Sequence, residues 1–373
     1  MKLCLVGSLP GIGGSRLTGG AERQLMLLAE SMVARGHRVA CVLPAAGAAK
    51  EPSVGYSVLP GWLSASGVPG IRWFTHRLPH LFRNLVNLDA DVYYCRGSSI
   101  FAATVVRAAR KVRRPALAGL ASDTDLVGGK AVGTLNENLL GRLSSGRLAR
   151  WYFVTRGLHR ATWVIAQNQW QYERCRTMGL SVAMVKSIVP EIADRGHVAP
   201  GAFSDAIWVG SLSKWKGIDR LCGLVTALPG VRFEIIGPKT CSVPPSLIDS
   251  LVSKKNVTWS DELEHSAVLQ RIKGARLLVN TSPHEGMSNA MLEAWALQRP
   301  VISLTADPDG LLSSSEALGA CAQGDLSKMK ALVLHWLSEG SLRTETGERA
   351  RAYIQKSHSP VSICEVYERL ASA

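Results

Sequence analysis

Residues 275–304 limit the fold of this chain more than any other stretch. Ala-Arg-Leu-Leu-Val-Asn at 275–280 has the length and apolar character of a strand. It leads through a short loop carrying His284, Glu285 and Gly286 into the start of a helix, and a second apolar strand follows at 301–304. A strand, helix, strand order of this kind joins parallel neighbours of a sheet covered by helices. Glu285 stands directly before Gly286, and Glu293 follows eight positions later, one turn into the helix. A helix N-terminus carries unpaired N–H groups and partial positive charge, which suit phosphate. Gly286 lets the backbone come close to a ligand, and the two carboxylates accept hydrogen bonds from sugar and ribose hydroxyls. The layout predicts a ligand with a phosphate and two polyols, such as a nucleotide-sugar. Spacing alone does not carry this, since Glu22 and Glu30 are also eight apart and share no expected site. The plainer alternative is an ordinary turn whose acidic first helical turn suits the helix dipole.

The same alternation runs through the rest of the chain. Strands are expected at 2–6, 38–43, 91–95, 115–120 and 164–167, with helices at 21–35, 98–112 and 170–178. The pattern restarts with strands at 206–210, 232–236 and 257–259 and helices at 217–228 and 266–272. The expected fold class is therefore α/β, with two doubly wound, Rossmann-like domains facing a central cleft. Residues 1–190 form the first domain, 191–204 a linker, 205–355 the second domain, and 356–373 a C-terminal helix that crosses back to the first. At 373 residues the chain is long enough for two cores of ordinary size.

Charge is divided unevenly. Residues 1–190 hold 24 Lys and Arg against 9 Asp and Glu, and the remainder holds 19 against 20. A one-sided positive field points to an anionic surface or substrate: nucleic acid, anionic lipid or a lipid-linked diphosphate. Two basic segments, 71–83 and 141–160, mix arginines with Trp73, Phe74, Trp151, Tyr152 and Phe153. They read either as surfaces for an anionic membrane or as helices with a core-facing side and a solvated basic side. There is no uninterrupted apolar run of membrane-spanning length. Met1 to Gly7 reads as a first strand entering a loop rather than as a signal peptide. The eight cysteines are scattered without a Cys-x-x-Cys pair, as expected for reduced, buried thiols in a cytoplasmic protein.

Two further loops carry chemistry. Gly11, Gly13, Gly14, Gly19 and Gly20 lie between the first strand and first helix. Their freedom permits close approach to a ligand. They do not form a dinucleotide fingerprint, because Arg16 stands where the third glycine belongs and the second strand ends without an acid. In the second half, Gly210-Ser-Leu-Ser-Lys214-Trp-Lys216-Gly217 places two lysines before a helix start. Such lysines neutralise a diphosphate leaving group, or are ordinary surface lysines.

Taken in order, these residues resemble the family-4-like retaining glycosyltransferases of GT-B architecture. The resemblance rests on Gly19-Gly20-Ala-Glu22-Arg with Gly36-His37, Ala90-Asp91-Val-Tyr-Tyr, and Ala166-Gln167-Asn-Gln-Trp-Gln171. It continues through Val209-Gly210 with Lys216-Gly217, Ile236-Gly237, and Glu285-Gly286 to Glu293-Ala294 with Pro300-Val301. It implies transfer of a sugar, with retention at the anomeric carbon and without metal or cofactor, from a nucleotide-sugar donor, UDP- or GDP-linked. The acceptor would be a saccharide or a lipid-linked acceptor in polysaccharide or glycolipid assembly. By the same resemblance Lys216 holds the donor diphosphate, Glu285 the donor sugar, and Glu293 the ribose. Gly286, Met287 and Ser288 offer backbone N–H groups, and Gly210, Ser211, Lys214, Gly237, His284 and Asn289 complete the donor side. Gly19 and Gly20 belong to a loop closing over the reacting centre. The second half would then bind donor and the basic first half acceptor, with peripheral contact to an anionic membrane at its cytoplasmic face and no nucleic acid.

Two positions depart from the family pattern. Ser211 stands where an arginine usually follows the strand glycine. Lys214 is the available substitute, although a point charge lacks the bidentate fork. Asp123 stands near the place of a usual histidine and is the candidate third catalytic residue beside Lys216 and Glu285; the alternative is a turn aspartate capping the next segment. A nucleotide-sugar hydrolase or epimerase of the same fold, and a non-enzymatic basic binding module, are the rival readings.

Overall fold

The computed structural model describes residues 1–7, 19–43, 55–61, 73–97, 99–126, 156–192 and 199–372. The chain forms two compact units, Met1–Ile188 with Pro360–Ala373, and Val189–Ser359.

Unit 1 is built on seven parallel strands in the order β3-β2-β1-β4-β5-β6-β7. They are β1 (Lys2–Val6), β2 (Arg38–Leu43), β3 (Ser57–Pro60), β4 (Val92–Arg96), β5 (Ala116–Gly119), β6 (Trp163–Ala166) and β7 (Val182–Met184). Its first four helices are α1 (Gly20–Ala34), α2 (Leu78–Leu88), α3 (Ile100–Lys111) and α4 (Gln169–Thr177). The apolar run of β1 follows from burial on both faces. Cys4 and Val6 pack on one side with Leu81, Leu85 and the alanines of α3, while Leu3 and Leu5 pack on the other with Leu25, Leu28 and Met32 of α1. Side chains at the helix starts satisfy backbone donors: Ser99 accepts from Ala102 N and Asn168 from Gln171 N.

Unit 2 has six parallel strands in the order β10-β9-β8-β11-β12-β13. These are β8 (Ser204–Val209), β9 (Phe233–Ile236), β10 (Val257–Ser260), β11 (Ala275–Asn280), β12 (Val301–Ser303) and β13 (Gly319–Cys321). The helices are α5 (Ile218–Ala227), α6 (Pro245–Val252), α7 (His265–Gly274), α8 (Asn289–Ala296), α9 (Leu326–Ser338) and α10 (Gly340–Ser357). Ala206 and Trp208 face one core with Phe233 and Leu221. Ile207 faces the other with Met291 and Trp295.

Residues 193–198 of the linker expected over 191–204 fall outside the described residues. Ser204 is already in β8, registered against Ala275 of β11, so its hydroxyl-bearing residue type is overridden by sheet pairing. The crossing helix expected from 356 is also displaced. α10 continues to Ser357, and a new helix, α11 (Pro360–Ser372), begins after the break. Proline has no N–H to continue the earlier helix but suits a first turn. α11 packs on α1 within unit 1, and Tyr367 meets Tyr94 edge-on at 5.6 Å between ring centroids.

Part of the basic segment 71–83 has its apolar side turned to the core. Leu81 is fully buried, and Arg107 lies 5.1 Å over the ring of Phe82. The other basic segment falls largely at 141–155, outside the described residues. Among the described residues no helix is long and apolar enough to cross a membrane.

An ion-pair cluster ties α11 to the end of α1. Arg35 Nε and Nη2 donate to the two oxygens of Glu368 at 2.6 and 2.9 Å, and His37 Nε2 meets Oε1 at 2.7 Å. Arg35, and then His37, hold the Glu368 carboxyl down to about 2, from an ordinary 4.5. The unfolded chain therefore takes up this proton first as acid is added. The stabilisation is complete above about pH 4.5 and is lost as pH falls through about 2. Because the pair is solvent-screened, Glu368→Gln is expected to lower the melting temperature of unit 1 by only about 2 °C at neutral pH. The difference in melting temperature between the two proteins should begin to shrink below about pH 4.5 and vanish only near pH 2, where the native carboxylate is itself titrated.

Candidate active site

In an open parallel sheet, ligands bind beyond the carboxyl ends of the strands, where the strand order reverses. In unit 2 that point lies between β8 and β11. The loops leaving these two strands carry Lys216 and Glu285. After β8 the chain passes Gly210 and makes a single 3-10 turn over Lys214–Lys216. Gly217 then turns it into α5 at φ +68°. A Cβ on Gly217 would lie 2.1 Å from the Thr281 carbonyl oxygen, so the two loops touch backbone to backbone there.

Side chains lock the contact. Trp208 Nε1 donates to Thr281 Oγ1 at 3.1 Å, and Thr281 Oγ1 donates to the Lys216 carbonyl at 2.9 Å. Lys216 Nζ donates to Glu285 Oε1 at 2.5 Å, and Ser282 Oγ donates to the same oxygen at 2.8 Å. Glu285 is the more enclosed partner, with 13% of its side chain exposed against 33% for Lys216. Behind this pair, Ser282 N donates to Asn280 Oδ1 and Asn280 Nδ2 donates to Ser303 Oγ. On the far side, Gly237 follows β9 at φ +145°, and a Cβ there would lie 1.9 Å from Gly210 O. Gly210 N in turn donates to Ile236 O at 2.9 Å. The arrangement is a cation and a carboxylate, held on rigid loops at the ligand-binding rim.

The other donor-side residues divide. Met287 is 9% exposed and packs in the core, which anchors the loop below Gly286. Ser288 is the residue before α8, and Gly286 and Asn289 both have partners. Glu293 sits in α8 and pairs with His265 at 2.8 Å. Lys214 and His284 are exposed, and neither joins the Lys216–Glu285 pair. Ser211 Oγ donates to Ser213 Oγ at 3.2 Å. Sequence reasoning missed Trp208, Thr281, Ser282 and His265. The polar run Asn280-Thr281-Ser282 at the end of an apolar strand could have signalled Thr281 and Ser282, whereas Trp208 and His265 left no local sign.

Unit 1 carries a second polar cluster beyond β4, β5 and β6. Asp123 Oδ1 accepts from Asn168 Nδ2 at 3.0 Å and from Gln171 Nε2 at 2.8 Å. The capping role belongs instead to Asp125, whose Oδ2 accepts from Ala121 N at 2.7 Å and Ser122 N at 3.2 Å. Arg96 Nη2 donates to Gln167 Oε1 at 2.6 Å, Ser187 Oγ donates to the same atom, and Gln167 Nε2 donates to Leu120 O. Buried amides thus hold the Asp123 carboxylate from behind. Gly19 and Gly20 stand at the start of α1, where a Cβ on Gly19 would meet the Glu22 carboxylate. Gly11, Gly13, Gly14 and Arg16 lie outside the described residues. No group of three or more His, Cys, Asp or Glu that could hold a metal occurs among the described residues.

Comparison with known proteins covers both units. Residues 18–188 match the family described as Glycosyltransferase Family 4, and residues 204–339 match Glycosyl transferases group 1. No curated protein sequence matches significantly. Among solved structures, sucrose-phosphate synthase from Thermosynechococcus elongatus superposes with a TM-score of 0.76 at 15% identity, over 99% of this chain and 98% of that one. HepE of Anabaena, in complex with UDP, gives 0.72 at 16% identity over the whole of both chains. WaaG, a glycosyltransferase involved in lipopolysaccharide biosynthesis, gives 0.70 at 15% identity over 98% of each.

Proposed function

This chain belongs to the family-4-like glycosyltransferases of GT-B architecture, and from that premise we propose that it transfers a sugar, with retention, from a UDP-sugar to an anionic saccharide or lipid-linked acceptor. The observation that carries the reading is the Lys216–Glu285 pair at the strand-order reversal of unit 2. Lys216 stabilises the negative charge that grows on the diphosphate as it leaves. Glu285, relieved of the lysine by the incoming phosphate, accepts from the donor sugar's hydroxyls, with Ser282 still holding one of its oxygens. Glu293 takes the ribose, and the amides before α8 take phosphate oxygens. The UDP complex of HepE, which has the same fold, supports a uracil nucleotide over the alternatives.

In the transfer step, the acceptor oxygen bonds to the anomeric carbon on the face that the diphosphate leaves. The bond from that carbon to the phosphate oxygen breaks with its electron pair, and the acceptor's proton passes to the departing phosphate. Within unit 1, Asp123, fixed by Asn168 and Gln171, accepts a hydrogen bond from a hydroxyl of the acceptor. The excess of basic residues over 1–190 favours an acceptor bearing phosphate or another anion.

A thermal-shift screen with UDP-, GDP-, ADP- and TDP-sugars tests the donor class. A UDP-sugar at a hundred times its dissociation constant is expected to stabilise the folded protein by about 2.7 kcal/mol. Glycosylated product should then form only when an acceptor is added. Free sugar released without acceptor would reject transfer in favour of hydrolysis, and no shift with any of the four donors would reject the nucleotide-sugar reading altogether.

A further inference from the structure

We propose that His265 is a positioning residue: it fixes the Glu293 carboxylate and so sets the preference of unit 2 for a ribonucleotide over its deoxy counterpart. The inference rests on the reading that Glu293 meets the donor ribose. Its own basis is the pair His265 Nε2 to Glu293 Oε1 at 2.8 Å, which requires the imidazole proton on Nε2.

Both residues occupy the ligand-binding rim. α7 begins at His265, just beyond the carboxyl end of β10, and α8 begins just beyond that of β11. Neither backbone can drift. The Glu264 carbonyl accepts from Ala267 N at 2.8 Å and Val268 N at 3.1 Å, which fixes the first turn of α7. α8 is held from below by buried Met291, Leu292, Ala294 and Trp295, and Trp295 Nε1 donates to Leu318 O at 2.9 Å. The remaining freedom lies in the glutamate side chain, whose rotamers cost free energy to order when a ligand binds. His265 removes that freedom beforehand. Its bond occupies Oε1 and leaves Oε2 without a hydrogen-bond donor among the described residues. A vicinal diol needs an ordered acceptor with lone pairs to spare, and the pair provides one. Glu293 keeps 17% of its side chain exposed and His265 38%, so the couple is reachable from solvent.

Calorimetric titration with UDP and with 2′,3′-dideoxy-UDP tests the proposal. The unmutated protein is expected to bind UDP about tenfold more tightly than the dideoxy form, the equivalent of one charge-assisted hydrogen bond. His265→Ala should lose most of that preference while binding dideoxy-UDP as the unmutated protein does, which also reports an intact fold. His265→Gln, whose amide N–H reaches a similar position, should restore it. If the alanine variant does not fold, His265→Leu keeps the bulk of the ring and must lose the preference likewise. A ribose preference that survives both His265→Ala and His265→Leu, yet disappears in Glu293→Gln, would overturn the role of His265 alone. No preference in the unmutated protein would overturn it as well. Failure of the unmutated protein to bind either nucleotide would remove the donor-site reading together with this one.

Discussion

Lys216→Ala is expected to lower the rate of sugar transfer about a hundred- to a thousandfold, the usual consequence of removing one preorganised group that meets developing charge. The charge in question is the full negative charge released onto the diphosphate when the glycosidic bond breaks. On the proposed reading Lys216 is held ready to meet it, its backbone carbonyl bonded to Thr281 and its ammonium to Glu285. Ser211 occupies the neighbouring position where an arginine would share the load, and Lys214 is exposed and outside the pair. With no other cation paired to Glu285 among the described residues, the loss should fall on kcat as well as on kcat/KM, because the interaction strengthens between ground state and transition state. Glu285→Gln keeps a hydrogen-bonding side chain beside Ser282 but leaves the lysine without its counter-ion. It should weaken donor-sugar recognition more than nucleotide binding. Steady-state rates over a range of donor concentrations separate the two. Turnover in Lys216→Ala within a few-fold of the unmutated protein would show that leaving-group charge is met elsewhere.

Much of this site was legible before the structure because a strand, a loop with Glu-Gly and a helix leave a local signature. Ala275–Asn280 is an apolar run closed by a polar residue, and the helix that follows has its apolar residues on one side. The same logic located β1, β2 and β4, whose residues are buried on both faces. It missed β3, β7 and β13, which are only three or four residues long. All three lie at sheet edges and, apart from Gly319 of β13, bury no residue fully. β3 even ends in proline. Such strands exist because a neighbour supplies their register, and that is not a local property. Helices α9 and α10 also went unremarked, although Asp325 caps the first by accepting from Ser327 N and Lys328 N.

The partners inside the site were harder to see than its principal residues. Nothing near residue 265 announces that an imidazole will meet a glutamate 28 positions on, since the pairing depends on two crossover helices starting at one rim. Trp208 reads as an ordinary core residue of a strand. Only the fold turns its indole N–H towards Thr281. Asp123 and Asp125 were equivalent by eye, two acids in one short segment. Three-dimensional context separates them, one held by side-chain amides and the other capping a turn through backbone N–H groups.

Gly217→Ala should strongly destabilise unit 2 at the candidate site itself. Two costs coincide at this position. The backbone is at φ +68°, where a side chain raises the energy by about 1–2 kcal/mol. The added methyl would also lie 2.1 Å from the Thr281 carbonyl oxygen, a backbone atom that cannot swing aside as a flexible side chain would. Gly36 offers the matched control, being at φ +83° with nothing within 4 Å of its absent Cβ. Gly36→Ala therefore reports the conformational cost by itself, and the excess in Gly217→Ala reports the close approach of the two loops. That excess is expected to bring the total to about 3–4 kcal/mol, as for other strained or overpacked positions. Relief can come only by parting the loops after β8 and β11. Parting them draws Lys216 away from Glu285 and breaks the bond from Thr281 to the Lys216 carbonyl. The variant should thus lose nucleotide affinity even under conditions where it stays folded, whereas Gly36→Ala should bind UDP normally. Urea unfolding midpoints and UDP titrations of the two variants, side by side, decide the matter. If both lose the same small stability and both bind UDP like the unmutated protein, the contact between Gly217 and Thr281 is not what aligns the cation with the carboxylate.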